Sequence, residues 1–389
     1  MAKITIVGGG FGGIKAAQEL SIDSKNQITL ISDQPNFIYY PSLYSTATGY
    51  SYRESWAPLE KIFADTKNVK VVIDKITKVD PTKRQLVGKS KSVYRYYTLV
   101  LALGNTTTYF NIDGMADYSF GIKSQQEIRR LQAHLFEDMS DGSDDEKNYI
   151  VVGGGPTGVE LAGALGEYIL KLREYFGIRK KSLRIGIIES SDRLLPRLHK
   201  SSSKAATKRL KKLGVRVTTG KAVERLTENT IIVAGKELAT ETVIWTSGVA
   251  PVEFYQKNQK WFEFDKRGRV VVDDYMQARK DIYVIGDNAS TPYSGLAQTA
   301  LHDGYFVARR IMGSKAKYRP KLPPCVIPIG RKWALFEWGL LRFSGRAAAW
   351  LHTAAGFIGH RDVLPLSWAI GSWHARTKPE LRLPDDLKF

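Results

Sequence analysis

Two glycine-rich segments, residues 8–13 and 153–158, constrain the fold of this 389-residue chain more than any other feature. Each has the spacing Gly-x-Gly-x-x-Gly, and each follows a short apolar run, at residues 3–7 and 149–152. A helical pattern follows both segments. A tight turn between strand and helix lets the backbone approach a pyrophosphate, whose charge the helix N-terminus stabilises. The sequence therefore predicts an α/β fold with two Rossmann-like dinucleotide-binding units.

Polar residues stand where each unit would hold a ribose. Asp33 lies 20 residues after the last glycine of the first motif, although Ser32 ends its strand more naturally, so either residue could contact the ribose. Glu189 closes the strand after the second motif, 31 residues past its last glycine. A carboxylate there accepts from both ribose hydroxyls and repels a 2′-phosphate, which favours NADH over NADPH. The neighbouring Arg193 weakens that preference.

Two further strand ends support a flavin in the first unit, because residues 98–104 and 281–287 are apolar runs that stop at glycine. Asp287, directly ahead of an expected helix, could accept a hydrogen bond from a ribityl chain. Two nucleotide sites in one chain suggest FAD and a nicotinamide. The predicted cofactor-binding residues are Gly8, Gly10, Gly12, Gly13, Ser32, Asp33, Ala102, Gly104, Gly286, Asp287 and Ala297 in the first unit, and Gly153, Gly155, Thr157, Gly158, Glu189 and Gly248 in the second.

Cysteine usage and charge exclude several function classes. The lone Cys325 rules out a cysteine pair, and no histidines have metal-ligand spacing, so no metal is expected. The formal net charge of +19 favours an anionic partner, either nucleic acid or acidic lipid. No nucleic-acid-binding motif is present, so we expect no nucleic-acid partner. No signal peptide and no apolar run long enough to span a membrane are found.

The order of motifs resembles the two-dinucleotide-binding-domain flavoproteins and, within them, the type II NADH dehydrogenases, which are single-subunit NADH:quinone oxidoreductases. The matching segments cover almost the whole chain and include GGGFGG at 8–13, FIYYPSLY at 37–44, GGGPTGVELAG at 153–163, VIWTSGV at 243–249, YVIGD at 283–287 and AQTALH at 297–302. This resemblance implies FAD-binding regions at 1–115 and 250–329, an NAD-binding region at 116–249 and a membrane-association segment at 330–389. An acidic run near 140–147 is interpreted as a boundary loop.

The implied activity is a non-proton-pumping transfer of hydride from NADH to N5 of FAD, followed by two-electron reduction of quinone. The alternative is a flavoprotein resembling apoptosis-inducing factor or ferredoxin reductase, with another acceptor. In the family's quinone motif Gln298 is present, and His302 replaces the second glutamine. Glu160, expected on the first turn of its helix, is implied in substrate positioning and proton transfer. Roles for Glu160 at the helix dipole and for His302 on the helix surface remain open.

The C-terminal region is rich in Trp and Arg and contains an apolar stripe at helical spacing. The stripe predicts a helix over residues 346–358 that lies in a membrane interface and binds anionic lipid. Packing on the protein's own core or on a second subunit in a homodimer is the alternative. We expect a monotopic protein at the cytoplasmic face of the cell membrane. The stripe consists of Ala347, Trp350, Leu351, Ala354, Phe357 and Ile358.

Overall fold

The computed structural model describes residues 3–140, 147–178 and 184–376. Most of the acidic run interpreted as a boundary, residues 141–146, lies outside these ranges, as do residues 377–389 of the C-terminal segment. The α-helices are Phe11–Ser21, Leu43–Ala47, Leu59–Ile62, Met115–Tyr118, Gln125–Ser140, Pro156–Tyr175, Lys200–Lys212, Glu253–Lys257, Ala297–Ile311, Arg346–Arg361 and Leu366–Ala375. Short 3-10 turns are Tyr40–Ser42, Tyr52–Glu54, Gln259–Trp261 and Gly286–Asn288.

Within the described residues, a sheet of six strands carries the first glycine motif. It is parallel except for its first edge strand, which is antiparallel to its neighbour. Ile4 and Ile6 on the motif strand are buried, since strands lie on both sides of it and other elements cover the sheet. In spatial order the strands are Gln277–Arg279, Ile282–Val284, Thr98–Leu101, Lys3–Val7, Gln27–Ser32 and Val69–Ile73. Strands from distant parts of the chain therefore complete one sheet.

A parallel sheet, with four strands among the described residues, carries the second motif. Its motif strand again lies between the strand that follows it in sequence and a later strand. This repeats the order around the first motif, so the predicted duplication of the α/β unit is confirmed. The strands, in spatial order, are Val215–Thr219, Arg184–Glu189, Asn148–Val152 and Thr242–Trp245.

Smaller antiparallel sheets surround these two. Asn105–Thr107 pairs with Val249–Pro251 and so joins the connections between the two large sheets. The others are Asn36–Ile38 with Trp56–Pro58, Ile76–Asp80 with Gln85–Gly88 and Val93–Arg95, Val223–Leu226 with Thr230–Val233 and Lys236–Ala239, and Cys325–Pro328 with Ala334–Trp338 and Leu341–Gly345.

The helix predicted over residues 346–358 is present and extends from Arg346 to Arg361. With Leu366–Ala375 it forms an antiparallel pair, which we call the C-terminal hairpin. One side of this hairpin docks on the protein, where the buried imidazole of His360 stacks on Tyr39 with ring centroids 3.9 Å apart. Among the described residues, no helix is both long and apolar enough to cross a bilayer.

Candidate active site

The first glycine motif forms a tight backbone turn. At two of its positions no residue larger than glycine fits. Gly8 has a φ of +119°, and a Cβ there would lie 2.1 Å from the carbonyl oxygen of Ala102. A Cβ at Gly13 would lie 1.9 Å from the carbonyl oxygen of Gly8. At Gly10, by contrast, a Cβ would meet no protein atom within 4 Å. The motif thus closes on itself and leaves one open approach, which fits a pyrophosphate at the helix N-terminus.

The second motif has the same backbone turn. Gly153 has a φ of +117°, and a Cβ at Gly158 would lie 1.9 Å from the Gly153 carbonyl oxygen. Gly155, like Gly10, has open space beside it. The amide of Gly153 donates to the neighbouring strand at Ile188 over 2.8 Å, as that of Gly8 does at Ile31. Both motifs therefore have the backbone that dinucleotide binding requires.

The polar residues beside the first motif differ in accessibility. Ser32 is buried, and its hydroxyl donates to the carbonyl oxygen of Gln34 over 2.8 Å. Asp33 is exposed at the same strand end. Since the hydroxyl of Ser32 is engaged within its own turn, the carboxylate of Asp33 is the more available hydrogen-bond acceptor for a ribose.

Asp287 lies at the same edge of the six-stranded sheet, where the strands of residues 98–101 and 282–284 end. Its carboxylate accepts from the amide of Asn105 over 2.7 Å. Burial raises the pKa of Asp287, and the charge of Arg269 opposes this. The α-helix expected directly after Asp287 is wrong, because the 3-10 turn Gly286–Asn288 comes first and the α-helix begins only at Ala297. Within this turn, the side-chain amide of Asn288 donates to the carbonyl oxygen of Gly104.

Asp303, which sequence reasoning missed, ties this edge together. It is fully buried on the helix Ala297–Ile311 and accepts from the amide of Gly286 over 3.0 Å and from the hydroxyl of Tyr318 over 2.6 Å. Burial raises its pKa to about 6. The helix also packs closely on the first motif, since a Cβ at Gly304 would lie 2.4 Å from the Gly12 carbonyl oxygen. No local sequence pattern marks such a contact.

Glu189 braces the second motif directly. Its carboxylate accepts from the backbone amides of Gly154 over 2.6 Å and Ser191 over 2.7 Å. Arg193, the residue that could have favoured NADPH, donates instead to the carbonyl oxygen of Leu198 over 2.8 Å and to the hydroxyl of Ser203 over 2.6 Å. Its guanidinium is therefore engaged in holding a neighbouring loop.

Lys123 of the second unit lies within electrostatic range of the first unit and was also missed from the sequence. Its ammonium donates to the carbonyl oxygen of Gly248 over 3.2 Å. Burial lowers the pKa of Lys123, whereas Glu127 and Asp287 oppose this through their charges. The side chain therefore lies between Gly248 of the second unit and Asp287 of the first. The two nucleotide-binding edges consequently face a common region.

Glu160 lies farther along its helix than the sequence indicated. The helix begins at Pro156, so Glu160 is its fifth residue and stands beyond the first turn. A role at the helix dipole loses support, because that effect fades after the first turn. Burial raises the pKa of Glu160 well above its usual range, and Arg376 opposes this. A raised pKa favours the protonated form of the carboxyl group, which is the form a general acid needs.

Cys325 is half-buried within electrostatic range of Glu160. Burial raises the pKa of its thiol to about 12, with the charges of Glu160 and Glu337 adding to the shift. The thiol therefore stays protonated at neutral pH and is a poor nucleophile.

Gln298 and His302 share the helix Ala297–Ile311, as their spacing predicted. Gln298 is exposed near the N-terminus of this helix. His302 is half-buried, and its Nε2 lies 2.9 Å from the carbonyl oxygen of Arg319, to which it can donate. The imidazole of His302 is thus oriented by the backbone of the following segment.

Comparison with known proteins agrees with this geometry. The model of the pyridine nucleotide-disulphide oxidoreductase family matches residues 2–304. A type II NADH:quinone oxidoreductase of Staphylococcus epidermidis is 30% identical, over 79% of this chain and 81% of that protein. The type II NADH:quinone oxidoreductase Ndh of Mycobacterium tuberculosis is 29% identical, over 100% of this chain and 91% of that protein.

The fold is also similar to a solved structure, NDH2 of Plasmodium falciparum in complex with NADH. The TM-score is 0.84, and the match covers 99% of this chain and 100% of that one. The identity of 17% means that this likeness concerns the fold.

Proposed function

The chain belongs to the pyridine nucleotide-disulphide oxidoreductase family and, within it, to the type II NADH:quinone oxidoreductases, and we propose that it oxidises NADH and reduces a quinone without pumping protons. The observation that carries this proposal is the pair of matching glycine motifs, both open at one glycine. One chain can thereby hold a flavin and a nicotinamide side by side.

FAD is held by the first unit in this proposal. Bound there, it supplies a two-electron carrier between NADH and the acceptor. Gly8, Gly10 and Gly13 hold the pyrophosphate, and Asp33 is the ribose partner, because Ser32 is engaged elsewhere. Asp287 accepts a hydrogen bond from the ribityl chain. The remaining contacts come from Gly12, Ala102, Gly104, Gly286 and Ala297.

NADH binds to the second unit, through Gly153, Gly155 and Gly158 with Thr157 and Gly248. Glu189 accepts from the ribose hydroxyls and at the same time supports the glycine loop. A 2′-phosphate placed here would meet this carboxylate with Arg193 turned away, so NADH is preferred to NADPH. The task of these residues is to hold the nicotinamide within reacting distance.

The acceptor is a quinone, and Glu160, Gln298 and His302 bind it or supply protons. An amide or imidazole can hydrogen-bond a quinone carbonyl, and a protonated carboxyl can donate to its reduced oxygen. Cys325 takes no part, because a disulfide that accepts electrons from a flavin needs a second cysteine, which the sequence lacks, and because burial keeps the lone thiol protonated.

The C-terminal region attaches the enzyme to an anionic membrane surface from the cytoplasmic side. It exposes large apolar side chains: Trp350 is 70% exposed, and Leu340, in the turn between the strands Ala334–Trp338 and Leu341–Gly345, is 93% exposed. Ile358, Leu366 and Ile370 of the C-terminal hairpin are exposed as well. Such a surface enters a lipid interface in preference to water. A homodimer through the same face is the competing outcome of a vesicle-binding test.

These assignments correspond to an FAD-binding region at 1–115 and 250–329, an NAD-binding region at 116–249 and a membrane-association segment at 330–389. Support comes from the six-stranded sheet, which takes strands from both parts of the first region. The second sheet lies entirely between residues 148 and 245.

The decisive test is anaerobic reduction of the purified protein by NADH and, separately, by NADPH, followed by a short-chain quinone in the same cuvette. We expect NADH to bleach the flavin absorbance faster than NADPH, and quinone to restore it promptly. Bleaching without recovery would leave the flavin and nicotinamide sites standing but exclude quinone as the acceptor. The acceptor would then be sought as in proteins resembling apoptosis-inducing factor or ferredoxin reductase.

A further inference from the structure

A buried carboxyl group connects three parts of the chain at the edge assigned to the flavin. Asp303, on the helix Ala297–Ile311, is fully buried. One of its oxygens accepts from the backbone amide of Gly286 over 3.0 Å, and the other accepts from the hydroxyl of Tyr318 over 2.6 Å. None of the cofactor or quinone assignments uses Asp303 or Tyr318.

The amide of Gly286 needs an acceptor outside the six-stranded sheet. Ile285, directly before it, still donates to the neighbouring strand at the carbonyl oxygen of Leu101, over 3.0 Å. At Gly286 the backbone turns into the left-handed region, with a φ of +73°, and leaves the sheet. A buried amide that loses its sheet partner is paired elsewhere, because leaving it unpaired is costly. The carboxylate of Asp303 supplies this partner.

Tyr318 is itself fixed by the chain around it. Its backbone amide donates to the carbonyl oxygen of Asp274 over 2.7 Å. The neighbouring Lys317 forms an ion pair with the carboxylate of the same aspartate, with Nζ and Oδ2 2.8 Å apart. The ring of Tyr318 packs edge-on against Phe306, with ring centroids 5.2 Å apart. The hydroxyl of Tyr318 therefore holds the Asp303 carboxylate in a defined position.

Packing alone does not require a carboxylate at this position. Burying a carboxyl group is costly unless it is paired, and among the residues that the structure describes no lysine or arginine forms an ion pair with Asp303. An apolar side chain of similar size would avoid this cost, but it would leave the Gly286 amide and the Tyr318 hydroxyl unpaired. The carboxylate is thus explained by the two groups that it holds.

Gly286 is followed directly by Asp287, the residue assigned to the ribityl chain of FAD. The hydroxyl of Ser294 donates to the carbonyl oxygens of both residues, over 3.2 and 3.1 Å, so the turn is held from two sides. We propose that Asp303 is a positioning residue, which together with Tyr318 clamps this turn so that Asp287 meets the ribityl chain. The clamp acts through the backbone and contacts neither FAD nor quinone. This inference rests on the proposed role of Asp287.

The first test measures FAD release and needs no turnover. The holoenzyme is diluted, and the rise in flavin fluorescence gives the rate at which FAD dissociates. We expect Asp303→Leu, which removes both acceptor oxygens at similar size, to release FAD at least about tenfold faster than wild type. Asp303→Asn should restore most of the difference, because its one acceptor oxygen can still pair with the Gly286 amide. Wild-type release by Asp303→Leu would overturn the clamp.

The hydroxyl of Tyr318 has a matched control in the same unit. Tyr94 also donates its hydroxyl to a carboxylate, that of Asp74, over 2.8 Å, and neither residue belongs to the proposed FAD site. Tyr318→Phe should release FAD about threefold faster than wild type, whereas Tyr94→Phe should leave the rate unchanged. Equal rates in the two variants would overturn the part assigned to Tyr318.

A double-mutant cycle separates positioning from a general structural role. If Asp303 acts through Asp287, the losses should not add, so Asp287→Ala/Asp303→Leu should release FAD about as fast as Asp287→Ala alone. Additive losses would overturn the proposal in favour of a structural role. If Asp303→Leu does not fold, the same cycle is run with Tyr318→Phe, which leaves the carboxylate in place.

The same cycle distinguishes failure of this inference from failure of the site assignment. Wild-type release by Asp287→Ala would remove the proposed ribityl contact and the clamp with it. Fast release by Asp287→Ala together with wild-type release by Asp303→Leu would overturn the clamp alone. The measurement is independent of the acceptor, so an enzyme that fails to reduce quinone still gives the same answer.

Discussion

Glu54 is a buried residue of the 3-10 turn Tyr52–Glu54, and its carboxylate accepts from the hydroxyl of Ser45. Replacing it by Gln should change how the stability of the protein depends on pH. Burial raises the pKa of Glu54 to about 7, against an ordinary value of 4.5, whereas the unfolded chain titrates near the ordinary value. Between these two values the folded state binds more protons than the unfolded state, so the free energy of unfolding falls as pH rises. The favourable contribution of the protonated group is complete below about pH 4.5 and is lost by about pH 7.

The size of the effect follows from the shift. One pKa unit corresponds to about 1.4 kcal/mol, so the wild-type protein should lose about 3 kcal/mol relative to Glu54→Gln over this window. Unfolding entropy of about 2.1 cal/mol/K per residue gives roughly 0.8 kcal/mol/K for 389 residues. The difference between the two melting temperatures should therefore change by about 4 °C.

The assay is thermal unfolding of both proteins at matched ionic strength and saturating FAD, from pH 4.5 to 8. Glu54→Gln should gain stability relative to wild type as pH rises. Glu167→Gln, which removes a half-buried carboxylate that pairs with Lys171, should show no such trend. A melting-temperature difference between Glu54→Gln and wild type that is constant across this range would refute the reasoning, because it would mean that Glu54 ionises at its ordinary pKa in the folded state.

Three further predictions concern the nucleotide sites and the membrane face. Gly10→Ala should fold normally yet bind FAD at least about tenfold more weakly, because its Cβ takes the open space left for the pyrophosphate. Gly13→Ala should instead lower the free energy of unfolding by about 1–3 kcal/mol, because its Cβ meets the backbone, and calorimetry with an FAD titration distinguishes the two effects. Glu189→Ala should raise the KM for NADH about tenfold and that for NADPH less; equal rises in steady-state assays would argue against a ribose contact. Trp350→Ser should weaken binding to anionic vesicles about tenfold in flotation assays without changing the melting temperature, and unchanged flotation of both this variant and Ile358→Ser would exclude the membrane face.

Much of the nucleotide-binding framework could be predicted from the sequence because its requirements are local. A strand, a turn that needs positive φ at Gly8 and Gly153, and a helix are contiguous in the chain, so the local sequence predicts this structure. The first residue of each helix is harder to predict from the sequence. The expected first-turn position of Glu160 was wrong, because Pro156 begins the helix one residue earlier than the pattern indicated.

The two dinucleotide-binding units, the absence of a cysteine pair and the apolar stripe at the C-terminus could all be predicted from the sequence, since each depends on neighbouring residues or on composition. Which ionisable groups come together depends on the folding of distant parts of the chain. Glu54, Glu160, His352 and Arg376 are far apart in the chain, and their protonation depends on burial and on one shared positive charge. Desolvation and Coulomb interactions depend on distances in space, which no spacing along the sequence encodes.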